Sequence, residues 1–164
     1  MVVRSAGILL YRLTDAGQPE VWIAHMGGPF WAGRQAAAWS IPKGEFEPEE
    51  DPFVAAQREF HEEIGVPAPD ARYVHLGDFR QPSGKIVTVY AAESDFALDR
   101  LVSNTFALEW PKGAGVLQEF PEVDDARWVG LGEARVKLVR GQVPVLDVLT
   151  ERLRVEGRLG QELM

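Results

Sequence analysis

The stretch "GEFEPEEDPFVAAQREFHEEIGV", residues 44–66, carries eight acidic residues and a single arginine, Arg58. Its local signals read as a helix held between two loops. Asp51 is the kind of residue that caps a helix N-terminus. Pro52 suits the first turn, where a missing N–H goes unnoticed, and Gly65 suits the left-handed residue just past the end. A helix over 52–64 is expected. At about 100° per residue, Phe53, Ala56, Phe60 and Ile64 form one stripe, the expected core face. Glu59, Glu62 and Glu63 are related as i, i+3 and i+4 and share a different face. Like charges so placed weaken a helix by roughly 0.2–0.5 kcal/mol per pair. One reading is a solvated acidic face with Arg58 and Lys43 as partners. The other is a hard-cation site, because clustered carboxylates suit Mg²⁺ or Mn²⁺ and the ion removes their repulsion. The alternating Asp/Asn loop of an EF-hand is missing.

Around this segment the chain reads as strands first and helices last. "VRSAGILLYRL" and "EVWIAHM" are expected strands joined by the polar turn "TDAGQP". "GGPFWAGRQAAAWSIPKGE" reads as a long loop ending in a short strand over 38–41. "ARYVHLGDF", "KIVTVYAAES", "FALEW" and "ARWVGL" are further strand candidates, whereas "LGEARVKLVRG" and "PVLDVLTERLRVEG" have helical spacing. The expectation is one mixed α/β (α+β) domain spanning residues 1–164, without repeats or linkers.

Composition narrows the function classes. A chain of 164 residues, 46% hydrophobic and 26% charged, is long enough for one core. The absence of cysteine excludes disulfides, thiolate metal sites and a cysteine nucleophile, and fits a cytoplasmic setting. A formal net charge of −8 disfavours extended nucleic acid as the partner. The apolar run near the N-terminus is too short to span a membrane, and no secretory signal is expected. A small phosphorylated ligand held through a metal ion remains compatible, with the protein a monomer or homodimer.

The spacing separates the two readings of the acidic helix. Gly44, five residues, Glu50, seven residues, then Arg58-Glu59-Phe60-His61-Glu62-Glu63-Ile64-Gly65-Val66 resembles the Nudix box at all nine defined positions. The preceding "WSIPKGE" is also similar to the family's approach to its box. The resemblance implies an α/β/α sandwich with a mixed sheet and the box as a loop–helix–loop. It implies that Glu59, Glu62 and Glu63 ligate Mg²⁺ or Mn²⁺, joined by the Gly44 carbonyl, and that Arg58 orients these carboxylates and Glu50. A further glutamate from a later loop completes such sites. "QEFPEVDDARWV" offers Glu119 and Glu122, and counting back from Trp128 favours Glu122. The implied reaction is hydrolysis of a phosphoanhydride in a nucleoside diphosphate linked to another group. The family's isomerase branch needs a cysteine that this chain lacks. Its non-catalytic sensing domains typically erode the box glutamates, and all are present here.

Substrate contacts are expected from Lys43, Arg34 and Lys85 toward phosphates, and from Trp31, with Phe30 and Trp110, toward a base. The segment around Lys43 is similar to that of enzymes acting on dinucleoside polyphosphates, so a nucleoside or dinucleoside polyphosphate is the expected substrate. Pro82, sixteen residues beyond Val66, points instead to the ADP-ribose branch as the alternative.

Overall fold

The structure is a computed structural model that describes residues 2–160. Nine strands run in the order β1 (Arg4–Leu13), β2 (Pro19–Met26), β3 (Trp39–Ser40), β4 (Lys43–Glu45), β5 (Val74–Arg80), β6 (Ile86–Glu93), β7 (Thr105–Glu109), β8 (Leu117–Pro121) and β9 (Val123–Gly130). Helix α1 (Pro52–Ile64) lies between β4 and β5, and α2 (Leu131–Lys137) and α3 (Val143–Val155) follow β9.

Seven strands form one sheet in which β1 is central, parallel to β6 and antiparallel to β2 and β4; β9 pairs with β2. The alternation of side chains along a strand explains the layers. Ile8 and Leu10 face one side, packing with Trp22 of β2 and with Ala55, Ala56, Phe60 and Ile64 of α1. Leu9 and Tyr11 face the other, packing with Val21, Ile23 and the α3 residues Leu146, Leu149 and Leu153. Both faces are covered, which is why "AGILLY" is buried throughout and reads as an unbroken apolar run. The fold is an α/β/α sandwich around a mixed sheet, as expected. No helix among the described residues is long and apolar enough to cross a membrane.

Helix α1 takes the predicted bounds. The Asp51 carboxylate accepts from the N–H groups of Phe53 and Val54, and Gly65 adopts φ +95°. The predicted core stripe needs one correction: Ala55 is fully buried, whereas Phe53 is half-buried against Tyr73 and Tyr90 at the layer's edge. Four other expectations also shift. The strand expected over 38–41 shrinks to Trp39–Ser40, and Lys43–Glu45 forms its own strand on β1. The helix expected over 131–141 stops at Lys137, where Leu138 turns to extended backbone and buries itself in the core. Leu117–Pro121, expected as loop, pairs with β7 in a separate hairpin. His75 lies within the strand candidate "ARYVHLGDF", where packing is the ordinary expectation for a histidine, and is instead exposed on the edge strand β5.

Candidate active site

Strand β4 brings Lys43 and Gly44 to the N-terminal half of β1, opposite Gly7 and Ala6. Gly7 permits the close approach, since a Cβ there would meet the Pro42 carbonyl and the Lys43 side chain at 2.8 Å. The preceding corner is anchored from far away in sequence. The buried Gln142 side chain accepts from the Ile41 N–H at 2.9 Å and donates to the Ser40 hydroxyl at 2.9 Å.

Helix α1 sets its glutamates against this strand. The Lys43 backbone N–H donates to Glu63 Oε1 at 3.2 Å. The Glu59 carboxylate lies directly over the Gly44 Cα, so that any side chain at 44 would overlap it. Arg58 ties the remaining carboxylates together, contacting Glu50 twice at 3.0 Å, Glu59 at 2.8 Å and Glu62 at 3.4 Å. These bonds hold Glu50 below the usual carboxylate range and raise Arg58 still further above its own.

Glu122 reaches the same place through backbone. The Asn104 N–H donates to the Glu62 carbonyl at 2.9 Å, and the Asn104 carbonyl accepts from the Glu122 N–H at 2.8 Å. The Val123 N–H adds a bond to the Ser103 hydroxyl at 3.0 Å. One short segment thus registers Glu122 against the end of α1. Glu119 lies instead within β8, opposite Ala107, exposed on the hairpin. Glu122→Gln is expected to cut turnover at least tenfold, and Glu119→Gln to leave it within about twofold, given the usual neutrality of exposed surface changes. Steady-state rates on a common substrate decide it, and equal small losses would place the distal carboxylate elsewhere.

Glu63 and Glu122 share a cleft of about 230 Å³ with Lys43, Ser40, Trp31 and Phe106. Burial pushes the Glu63 carboxyl up to about 8, against the pull of Lys43. Burial likewise lowers the Lys43 ammonium, with the Glu63 charge opposing. Glu59 is raised by burial despite its bond to Arg58. Glu122, on the more open rim, is raised by its partial loss of solvent and then by the Glu62 charge. Several carboxylates that raise one another in a cleft are a site in need of positive charge.

The donors fit a hard divalent cation: all are oxygens, and the Gly44–Glu59 contact leaves the Gly44 backbone beside a carboxylate. Among the described residues, no three His, Asp or Glu side chains are gathered closely enough to hold a metal ion as they stand. Arg58 engages Glu59 and Glu62, so an ion entering there would share those carboxylates with a guanidinium. Gly44→Ala is expected to displace Glu59 and reduce turnover by one to two orders of magnitude, with a smaller loss of thermal stability. Comparing rates and melting curves checks this, and an unchanged rate would show that Glu59 can move without consequence.

The other sequence-predicted residues scatter. Trp31 lines the cleft. Lys85 is engaged by Glu45 at 3.0 Å and is absent from the cleft wall. Arg34 is exposed, with its guanidinium 4.5 Å over the Phe30 ring. Phe106 was not singled out by sequence, and only its place on the hairpin reveals it.

A family model described as NUDIX domain matches residues 1–149. No curated protein matches the chain. Among solved structures, a C. elegans Ap4A hydrolase in a binary complex is similar with a TM-score of 0.64 and 22% identity, covering 92% of this chain and 98% of that one. The NUDIX domain of Shewanella oneidensis NrtR, complexed with ADP ribose, is similar with a TM-score of 0.61 and 17% identity, covering 93% and 89%. A Nudix hydrolase from M. smegmatis, RenU, is similar with a TM-score of 0.55 and 24% identity, covering 92% and 85%. At these identities the structural likeness speaks to the fold.

Proposed function

Because this chain belongs to the Nudix hydrolase family, we propose that it is a divalent-metal-dependent pyrophosphohydrolase acting on a nucleoside or dinucleoside polyphosphate. The observation that carries this reading is the cleft lined together by Lys43, Glu63 and Glu122, in which the Lys43 backbone N–H bonds the Glu63 carboxylate. A phosphoanhydride is anionic and repels both these carboxylates and an attacking water. Mg²⁺ or Mn²⁺, when bound, would neutralise the anhydride and acidify a water.

The protein's own residues supply the rest. Glu59, Glu62 and Glu63 offer oxygens to the ion, and Arg58 keeps the first two aimed. Lys43 places a fixed positive charge where the phosphate chain enters. The water oxygen attacks phosphorus, the anhydride P–O bond breaks, and the bridging oxygen leaves on the second phosphate. A carboxylate not occupied by the ion takes the water proton. Glu122 suits this role because its charge faces Lys43 and Glu62 and is not held by Arg58.

A panel of nucleotides with Mg²⁺ or with EDTA tests the proposal. Release of mononucleotide and phosphate products is expected with metal and none with EDTA. Binding without turnover across the panel would instead identify a ligand-sensing domain. ADP-ribose is the second reading, favoured by the likeness to a domain complexed with ADP ribose. A kcat/KM clearly higher for ADP-ribose than for diadenosine tetraphosphate would select it. Lys43→Met should cost more for the longer polyphosphate, roughly tenfold against about threefold for ADP-ribose. Equal losses would show that Lys43 does not read chain length.

A further inference from the structure

A second cleft, of about 570 Å³, lies between the 27–31 loop and the β7–β8 hairpin. It shares Gly27, Trp31 and Phe106 with the carboxylate cleft, so the two adjoin. Their chemistry differs sharply. The carboxylate cleft is charged, whereas the second is walled by Phe30, Trp31, Phe106, Leu108 and Trp110. Its volume falls within the range of pockets for small molecules.

Two of these aromatics are unexplained by folding. Phe30 is 57% exposed and Trp110 41% exposed, and neither packs into either core cluster. Exposing large aromatic surface beside a charged cleft is costly unless something covers it.

The walls are also held in place. Gly27 passes so close to the Pro121 carbonyl that any Cβ would overlap it. Gly28 adopts φ +96°, and a Cβ there would meet the Phe106 ring at 2.7 Å. These glycines let the loop backbone lie directly on the hairpin. Phe30 and Trp31 meet edge to face with centroids 4.9 Å apart, and Arg34 covers Phe30 from 4.5 Å. The cleft therefore exists before any ligand enters, which reduces the ordering cost of binding.

We propose that this cleft holds the nucleobase of the substrate by stacking, with the ribose passing Trp31 and Phe106 and the phosphates lying in the carboxylate cleft. The assignment rests on the reading of the carboxylate cleft as the phosphate end. A flat aromatic guest is the occupant because both walls offer π surface and few polar partners. Glu109 and Lys112 are the charged side chains of the lining, and the Glu109 carboxylate already accepts from the Gly113 N–H at 2.6 Å. With so little to read a base edge, the cleft discriminates weakly among bases, since every base has a π face. The enzyme is accordingly selective for the phosphate chain and tolerant of the base.

Binding titrations in Mg²⁺ with ADP, GDP, CDP, UDP and inorganic pyrophosphate test this without requiring turnover. Trp110→Leu is the decisive variant, because Trp110 sits outside both cores and its replacement is expected to leave the melting temperature unchanged. ADP affinity is expected to fall roughly 5- to 100-fold, the usual range for losing one stacked base. Pyrophosphate affinity should stay within about twofold, and Trp110→Phe, which keeps a π face, should recover most of the loss. The four nucleotides should bind the unaltered protein within about tenfold of one another. If Trp110→Leu and Phe106→Leu weaken ADP no more than pyrophosphate, the cleft does not hold the base. A spread of a hundredfold or more among the bases would overturn the tolerance. Absence of hydrolysis with the ADP-over-pyrophosphate difference intact would reject the hydrolase reading alone.

Discussion

Glu63→Gln is expected to lower turnover by about three orders of magnitude while leaving the metal-free protein as stable as before or more so. The two halves have one cause. Glu63 is the carboxylate most removed from water, its carboxyl pushed up to about 8 by burial. Lys43 is the cation that pulls against this, and its own ammonium is lowered by the same burial. Ionising a carboxyl with so little compensation is costly in the free protein and becomes favourable only when a divalent ion sits beside it. Glutamine keeps the shape and the Oε1 acceptor for the Lys43 N–H, bonded at 3.2 Å, but removes the charge. Melting curves with and without Mg²⁺ should show the unaltered protein stabilised by the ion and the variant much less so. Near-native turnover in the variant would remove Glu63 from the site.

Arg58→Ala is the second large effect, and it should damage stability and turnover together. Arg58 contacts Glu50, Glu59 and Glu62 at once, fixing the geometry of one face of α1. Its loss leaves Glu59 partly buried without its cation, and Glu59 is already raised by burial with that cation present. Arg58 is itself only partly covered by the protein, so solvent screening limits the stability loss to a few degrees of melting temperature. Turnover should fall by two or more orders of magnitude, because Glu59 and Glu62 lose the group that aims them. Arg58→Lys should recover stability better than turnover, since an ammonium cannot bridge three carboxylates in a planar fork. Loss of turnover alone would show that the carboxylates hold their places without the guanidinium.

The helix at the centre of the molecule was legible because its instructions are local. Asp51, Pro52 and Gly65 act on backbone groups within a few residues, so the sequence stated both ends of α1 correctly. The spacing of Arg58, Glu59, Glu62 and Glu63 was equally readable, since one turn of helix sets it. The segment "VRSAGILLYRL" was legible as a strand, whereas only the structure shows that both its faces are buried.

Where the determining contact crosses the chain, the reading weakened. Lys43–Glu45 was seen as loop because three residues have little strand signal of their own; their pairing with β1 depends on Gly7, far upstream. Helix α2 stops at Lys137 because Leu138 is drawn into the core, a cost of packing that helical spacing does not contain. The hairpin that makes Phe106 and Trp110 into a wall depends on β8, whose residues looked like an irregular acidic loop.

By itself, then, the sequence determined the box helix, its carboxylate face, the first strand and the chemical class those residues suit. Tertiary structure decided which distal glutamate meets them, which cations stand in the cleft and what lies next to it. Glu119 and Glu122 are three residues apart and equally acidic, and in the sequence only the count back from Trp128 favours Glu122. They differ because Asn104 bonds to Glu62 with its N–H and to Glu122 with its carbonyl, which fixes one of them beside the helix while β8 carries the other away. Spacing along a chain encodes interactions a few residues long, whereas a cleft is made by segments that find each other only once the core has formed.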